Sequence, residues 1–263
     1  MLMSTTPAAP LRDPPAVRLL GGFQLWHGAR DVVLPPAAQR LVARVALLRR
    51  HARAVLAGEL WPDVGETRAH ANLRTCLWQV RRACPGLLVQ GGDVLTIGAD
   101  VDVDVHRAQA LALDVLRDAG AVPTDALLTN LHALELLPGW YEDWVLAERE
   151  RDRQLRLHAL ELSAHELVRR GLPGAAMLAA LAAVQLEPLR ESAQRAVIEV
   201  HLSEGNVAEA LDRYRSYRTT ILAEVGLEPT LSLQQMLGVA APGLVRPRPL
   251  ERPLAPPNGH RAR

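Results

Sequence analysis

The chain has 263 residues, 49% of them hydrophobic and 22% charged, a balance that supports one large core or two smaller ones and excludes a disordered or fibrous class. Its formal net charge is +1, yet residues 1 to 98 hold twelve arginines against six acids while the remainder holds eighteen against twenty-three. All 30 basic residues are arginine, which excludes a GxxxxGK phosphate loop and a lysine Schiff base, because both need a primary amine.

The opening residues, MLMSTTPAAPLRDPP, have neither the charged start nor the apolar middle of a signal peptide. The longest apolar run, Ala175 to Val184, reaches only about half of the ~20 residues that a membrane-spanning helix needs. These features predict a soluble, cytoplasmic protein without a membrane partner. Cys76 and Cys84 stand eight apart, which fits neither a disulfide framework nor a CxxC ligand pair, and they read as reduced packing residues.

Two short apolar runs, Val17 to Leu20 and Phe23 to Trp26, and a third from Val32 to Leu34 are separated by Gly21-Gly22 and by HGARD, and predict a small antiparallel sheet. After Pro35-Pro36, Leu41, Val45 and Leu48 recur at helical spacing on a first helix that ends near Arg50. A short second helix, Val55 to Trp61, stops at Pro62. The third helix runs roughly from Thr67 to Ala83, with Leu73, Leu77, Val80 and Cys84 as its buried stripe and Pro85-Gly86 as its end.

At ~100° per residue the opposite face of that helix presents Arg68, Ala71, Thr75, Trp78, Gln79 and Arg82, flanked by Arg74 and Arg81. No acid interrupts it. Two readings fit such a face: solvated arginines on an ordinary amphipathic helix, or a surface that reads DNA. LLVQGGDVLTI next predicts a hairpin around Gly91-Gly92-Asp93. Sheet, three helices and a terminal hairpin make the order of a winged helix-turn-helix, whose third helix enters the major groove, and that order favours the DNA reading.

The alternation from Val101 to Val105 predicts an extended strand with Asp100, Asp102 and Asp104 along one solvated edge, without the further ligands a metal site needs. From His106 almost to Leu237 the pattern is all helical, with breaks near Gly120 to Pro123, Pro138-Gly139, Gly171 to Gly174, Glu187-Pro188, Gly205 and Glu228-Pro229. Gly171 and Gly205, Ala176 and Ala210, and Ala180 and Tyr214 are each 34 apart, the period of tetratricopeptide (TPR) helix pairs. HELVRR at His165 lacks the second histidine of HExxH and no GxSxG occurs, so neither an enzyme, a cofactor nor a metal site is expected. From Pro242 onward six prolines and five arginines predict a disordered basic tail.

LAGELWPDVGETRAHANLRTCLWQVRRA, with LLVQGGDVLTI and VDVDV, resembles the DNA-binding domain of the SARP family of antibiotic-pathway activators. LPGWYEDWVLAERERDRQLRLHALELSAHELV and EPLRESAQRAVIEVHLSEGNVAEALDRYRSYRTTILAEVGLEPT resemble the bacterial transcriptional activation domain that follows it. The resemblance covers roughly residues 17 to 238. It implies a transcriptional regulator that binds direct repeats in double-stranded promoter DNA as a homodimer, recruits RNA polymerase and activates a secondary-metabolite pathway. The family's recognition positions fall on NLRTCLWQVRR, so Arg74, Thr75, Trp78, Gln79, Arg81 and Arg82 are reached by both routes, and Arg68 by the helical face alone.

The chain departs from the family pattern in two places. RRHARAVLAGELW is several residues shorter than usual, and the hairpin carries Val94 and Thr96 where relatives often have arginine or an aromatic residue, which leaves the wing's contact with DNA open. The expected architecture is mainly α: a disordered start (1–15), an α+β winged helix-turn-helix (16–105), an all-α TPR-like activation domain (106–238) and a disordered tail (239–263). A rival reading makes the chain a protein-interaction adaptor whose winged helix binds protein, and a third makes the helical half a small-molecule sensor.

Overall fold

The computed structural model describes residues 14–48, 50–118, 120 and 134–240; all but the inner edges of the expected disordered termini, and most of the expected break from Gly120 to Pro123, lie outside them. Strands β1 (Pro15–Arg18), β2 (Gln24–His27) and β3 (Arg30–Asp31) make the expected antiparallel ribbon. Val17 faces Leu25, and the period of two buries both while Gln24 and Trp26 stay exposed. Helix α1 (Pro36–Leu48) begins on a proline whose fixed φ suits a first turn, and it is the most buried helix of this half, with Leu41, Val42 and Val45 wholly enclosed.

After α1 the structure differs from expectation. Strand β4 (Arg50–Ala52) precedes the short helix α2 (Arg53–Leu60) and pairs with β6 (Val94–Ile97), so the expected hairpin of β5 (Leu88–Gly91) and β6 becomes a three-stranded sheet. The shortened α1–α2 connection is thus folded into the wing. Gly92 turns the hairpin at φ 60°, a conformation that costs glycine little.

The Val101 to Val105 segment is also corrected. Only Asp102 and Val103 are extended, as β7, which pairs in parallel with β1 and completes a four-stranded sheet in the order β3-β2-β1-β7. Asp104 opens helix α4 (Asp104–Arg117), and its carboxylate accepts the backbone amides of Leu19 at 3.0 Å and Leu20 at 3.1 Å. Asp102 accepts from Arg18 at 2.8 Å and from Arg107. Asp102 and Asp104 therefore tie the ribbon to the helical half rather than lining a solvated edge.

The remaining helices are α5 (Asp143–Arg169), α6 (Pro173–Leu186), α7 (Glu191–Ser203), α8 (Val207–Val225) and α9 (Leu231–Ala240). The 34-residue repeat is visible in the backbone. Gly171 (φ 72°) and Gly205 (φ 77°) end α5 and α7 in the left-handed region. The next amides, of Leu172 and Asn206, each return to a carbonyl five residues back, Leu167 and His201, at 2.9 Å. Ala176, Ala180, Ala210 and Tyr214 are all buried between adjacent helices. Among the described residues no helix is long and apolar enough to cross a membrane.

The two halves share a seam. Residues 134–144 run back across the ribbon as a strap: Leu136 bridges Leu20, the Leu137 amide donates to Leu19 O at 2.8 Å, and the Gly21 amide donates to Glu135 O at 2.8 Å. Leu136, Leu137 and Val145 are wholly buried in the same core as α1 and the wing. Trp140 stacks on Phe23 at 6.2 Å and meets Trp144 edge-on at 6.4 Å, while the Arg44 guanidinium lies 5.1 Å from the Trp144 ring. Arg149 of α5 holds the strap by donating to the carbonyls of Leu136 (2.9 Å), Leu137 (2.6 Å) and Trp140 (2.9 Å).

Two carboxylates make this half sensitive to acid. Burial on its own would raise Glu59, but the hydrogen bond and charge of Arg44 at 2.9 Å and the nearby His51 outweigh it and hold the carboxyl below its usual 4.5. Asp102 is lowered in the same way, its burial outweighed by Arg107 and Arg18. A carboxyl depressed in the fold adds stability above its unfolded value and loses it as the pH falls through the folded one. The urea midpoint of the chain is therefore expected to fall on acidification below about pH 4.5. Glu59→Gln should be less stable at pH 7 and show a shallower fall, whereas an unchanged slope would remove Glu59 from the acid response.

Candidate nucleic-acid interface

The expected stripe holds α3 (Glu66–Ala83) in place: Leu73, Leu77, Val80 and, just past the helix end, Cys84 are buried against α1, α2 and the wing, together with Ala69 and Cys76. Burial of one face leaves the other toward solvent. Arg68, Arg74, Thr75, Trp78, Arg81 and Arg82 are exposed and Gln79 is half-buried, so all seven candidate side chains share one helix and one side of the molecule.

The helix starts one residue earlier than expected and so includes an acid. Glu66 is 90% exposed at the first turn, where the helix dipole favours it, and the His70 imidazole lies 3.8 Å from its carboxylate. It lies in the first turn, away from the arginines at positions 74, 81 and 82.

The ion-pair pattern of this face differs from that of the helical half. All five arginines within α5, Arg149, Arg151, Arg153, Arg156 and Arg169, pair with carboxylates. Among the described residues no carboxylate pairs with Arg68, Arg74, Arg81 or Arg82. Arg18, Arg40 and Arg44 of the first half are likewise paired, with Asp102, Glu142 and Glu59, whereas the four arginines of α3 carry positive charge that no ion pair offsets among the described residues, a feature compatible with a polyanion-binding surface.

The individual side chains are not equivalent. Arg82 lies over the Trp78 ring at 5.3 Å from its centroid, and Trp78 itself is 59% exposed. Arg81 turns the other way and reaches the Gln90 amide oxygen on β5 at 3.5 Å; Gln90 in turn donates to Gly92 O at 3.0 Å. Thr75 donates its hydroxyl to Ala71 O at 3.1 Å, which leaves its oxygen as an acceptor. Sequence reasoning misses Gln90; its place three residues before Asp93 in the GGD turn is the available signal.

The wing carries no arginine between Leu88 and Ile97, and its turn holds Asp93. Val94 is half-buried, and the Thr96 hydroxyl bends back to Val89 O at 3.5 Å. The two hairpin strands thus add no positive charge, and the wing's arginine is Arg50 of β4, with Arg53 following at the start of α2.

Residues 102–237 match the family described as the bacterial transcriptional activator domain. Regulatory protein AfsR of Streptomyces coelicolor is 29% identical over 231 residues, covering 83% of this chain and 23% of the relative. Regulatory protein AfsR of Streptomyces griseus is 26% identical over 262 residues, covering 92% of this chain and 26% of the relative. The chain spans about a quarter of the length of these curated relatives. Among solved structures, Mycobacterium tuberculosis EmbR in complex with a low affinity phosphopeptide is similar with a TM-score of 0.66 and 16% identity, covering 86% of this chain and 64% of that one. At that identity the likeness concerns the fold alone, a winged helix-turn-helix followed by a helical TPR-like half, as expected from the sequence. The resemblance to SARP-family regulators is borne out by the family match and the two relatives.

Proposed function

Because the chain belongs to the bacterial transcriptional activator domain family, we propose that it is a sequence-specific DNA-binding transcriptional regulator, an activator at promoters of a secondary-metabolite pathway. The observation that carries this reading is the exposed face of α3, whose arginines no carboxylate compensates among the described residues. Residues 16–105 are the DNA-binding part and residues 106–238 the part that meets the transcription machinery, RNA polymerase included. Two copies of the chain sit on direct repeats as a homodimer.

The mechanism divides affinity from selectivity. Arg68, Arg74 and Arg81 neutralise phosphates and release counterions, so binding weakens with salt at a log-log slope of about −0.9 per phosphate contacted. Gln79, Arg82 and Thr75 face the base edges, where a bidentate Arg–guanine or Gln–adenine contact discriminates by ~1 to 3 kcal/mol. The strap fixes α3 relative to the helical half, so that reading a promoter sets where the activation surface points.

The test is a titration of the full chain against promoter fragments at two salt concentrations. Saturable, salt-sensitive retention of particular fragments is expected. Absence of retention at low salt would favour the protein-interaction adaptor instead.

A further inference from the structure

We propose that Trp78 is a positioning residue whose indole ring holds the Arg82 guanidinium ready to read a base, an assignment that rests on the regulator reading above. Trp78 and Arg82 are four residues apart on α3 and therefore neighbours on one face, and the guanidinium carbon lies 5.3 Å from the ring centroid. A large aromatic residue left 59% exposed on an otherwise polar surface needs a reason, and burial does not supply one. Arg82 is a long side chain with many rotamers; stacking on the ring restricts it before any ligand arrives, so less freedom is lost when it binds. The neighbouring Arg81 is drawn to Gln90 on the wing, so the two consecutive arginines are sorted into different directions, one toward the hairpin and one over the indole.

Arg82 on Trp78 is also suited to a particular task. A guanidinium attracted to the face of a ring by its charge does not spend its N–H donors in hydrogen bonds there and can offer them to a ligand. An edge-on fork matches the paired acceptors of guanine in the major groove. The partner chemistry is therefore a guanine presented in the groove beside the C-terminal half of α3.

The experiment uses the full chain, a duplex it selects from a randomised library and a scrambled version of that duplex. Trp78→Leu should reduce the preference for the selected duplex by about fivefold, with the salt slope unchanged because no charge is lost. Trp78→Phe, which keeps an aromatic face, should retain most of the preference. In an Arg82→Ala background Trp78→Leu should cost nothing further, because its effect passes through Arg82. The thermal midpoint should not move in either variant, which separates positioning from a structural role. If the two losses multiply independently, Trp78 acts on DNA by itself and the proposal is overturned. If the wild-type chain binds neither duplex at low salt, the regulator reading fails first and takes the reading role of Arg82 with it.

Discussion

Arg149→Ala is expected to destabilise the chain by about 3 kcal/mol, several times the loss that truncating an exposed arginine brings. The Arg149 side chain is only 16% exposed, and it gives hydrogen bonds to the carbonyls of Leu136, Leu137 and Trp140 and an ion pair to Glu135 at 3.0 Å. Alanine would strand the Leu136 and Trp140 carbonyls inside the seam, each a loss of ~1 to 3 kcal/mol if water does not reach it, while the Leu137 carbonyl keeps the Trp140 amide at 3.2 Å. The strap is also strained: Leu137 holds φ at 46°, which a side chain rarely adopts, and such a conformation persists only where neighbours over-determine it. Removing Arg149 removes one of those neighbours. Urea unfolding followed by circular dichroism would measure the loss, and a change below ~1 kcal/mol would show that the apolar contacts of Leu136 and Leu137 hold the seam without the guanidinium.

The second large effect is on binding. Arg82→Ala should weaken the complex with a selected duplex more than tenfold, which corresponds to ~1.4 kcal/mol or more. Arg82 is exposed and carries no ion pair among the described residues, so the folded chain should keep its thermal midpoint. Arg74→Ala is expected to act differently: it removes a phosphate partner, lowers affinity for all sequences alike and reduces the salt slope by about one. An unchanged gel-shift midpoint in Arg82→Ala would take that residue out of the interface.

What the sequence disclosed follows from the range of each interaction. The stripe Leu73, Leu77, Val80 and Cys84 repeats at helical spacing and ends on Pro85-Gly86, so the burial of α3 and the exposure of its arginines were both legible. The 34-residue period was legible because the same turn geometry is built twice, at Gly171 and at Gly205. Features made by distant segments were not. Strand β4 is three residues long and exists because β6 offers it an edge. Asp104 reads locally as one tooth of an alternating strand, yet its carboxylate accepts the Leu19 amide 85 residues away, which turns it into the first residue of a helix. Pro138-Gly139 reads as a break between helices, and nothing local tells that Leu136 and Leu137 complete the core of the other half.

Within the candidate interface, residue types and their shared face were legible, but their division of labour was not. Arg81 and Arg82 are adjacent in the chain and diverge in space, one to Gln90 and one to Trp78. The absence of compensating acids was visible along α3 itself, whereas the contrast with the paired arginines of α5 needed the side chains in place.

Cross-linking from α3 to DNA tests the assignment of this surface most directly. A photo-cross-linking residue in place of Thr75, in the full chain bound to a selected duplex, should attach to bases in the major groove within one repeat, while the same residue in place of Leu178 on α6 should attach to none. Cross-links from position 178 and none from position 75 would contradict the assignment of α3 as the nucleic-acid surface.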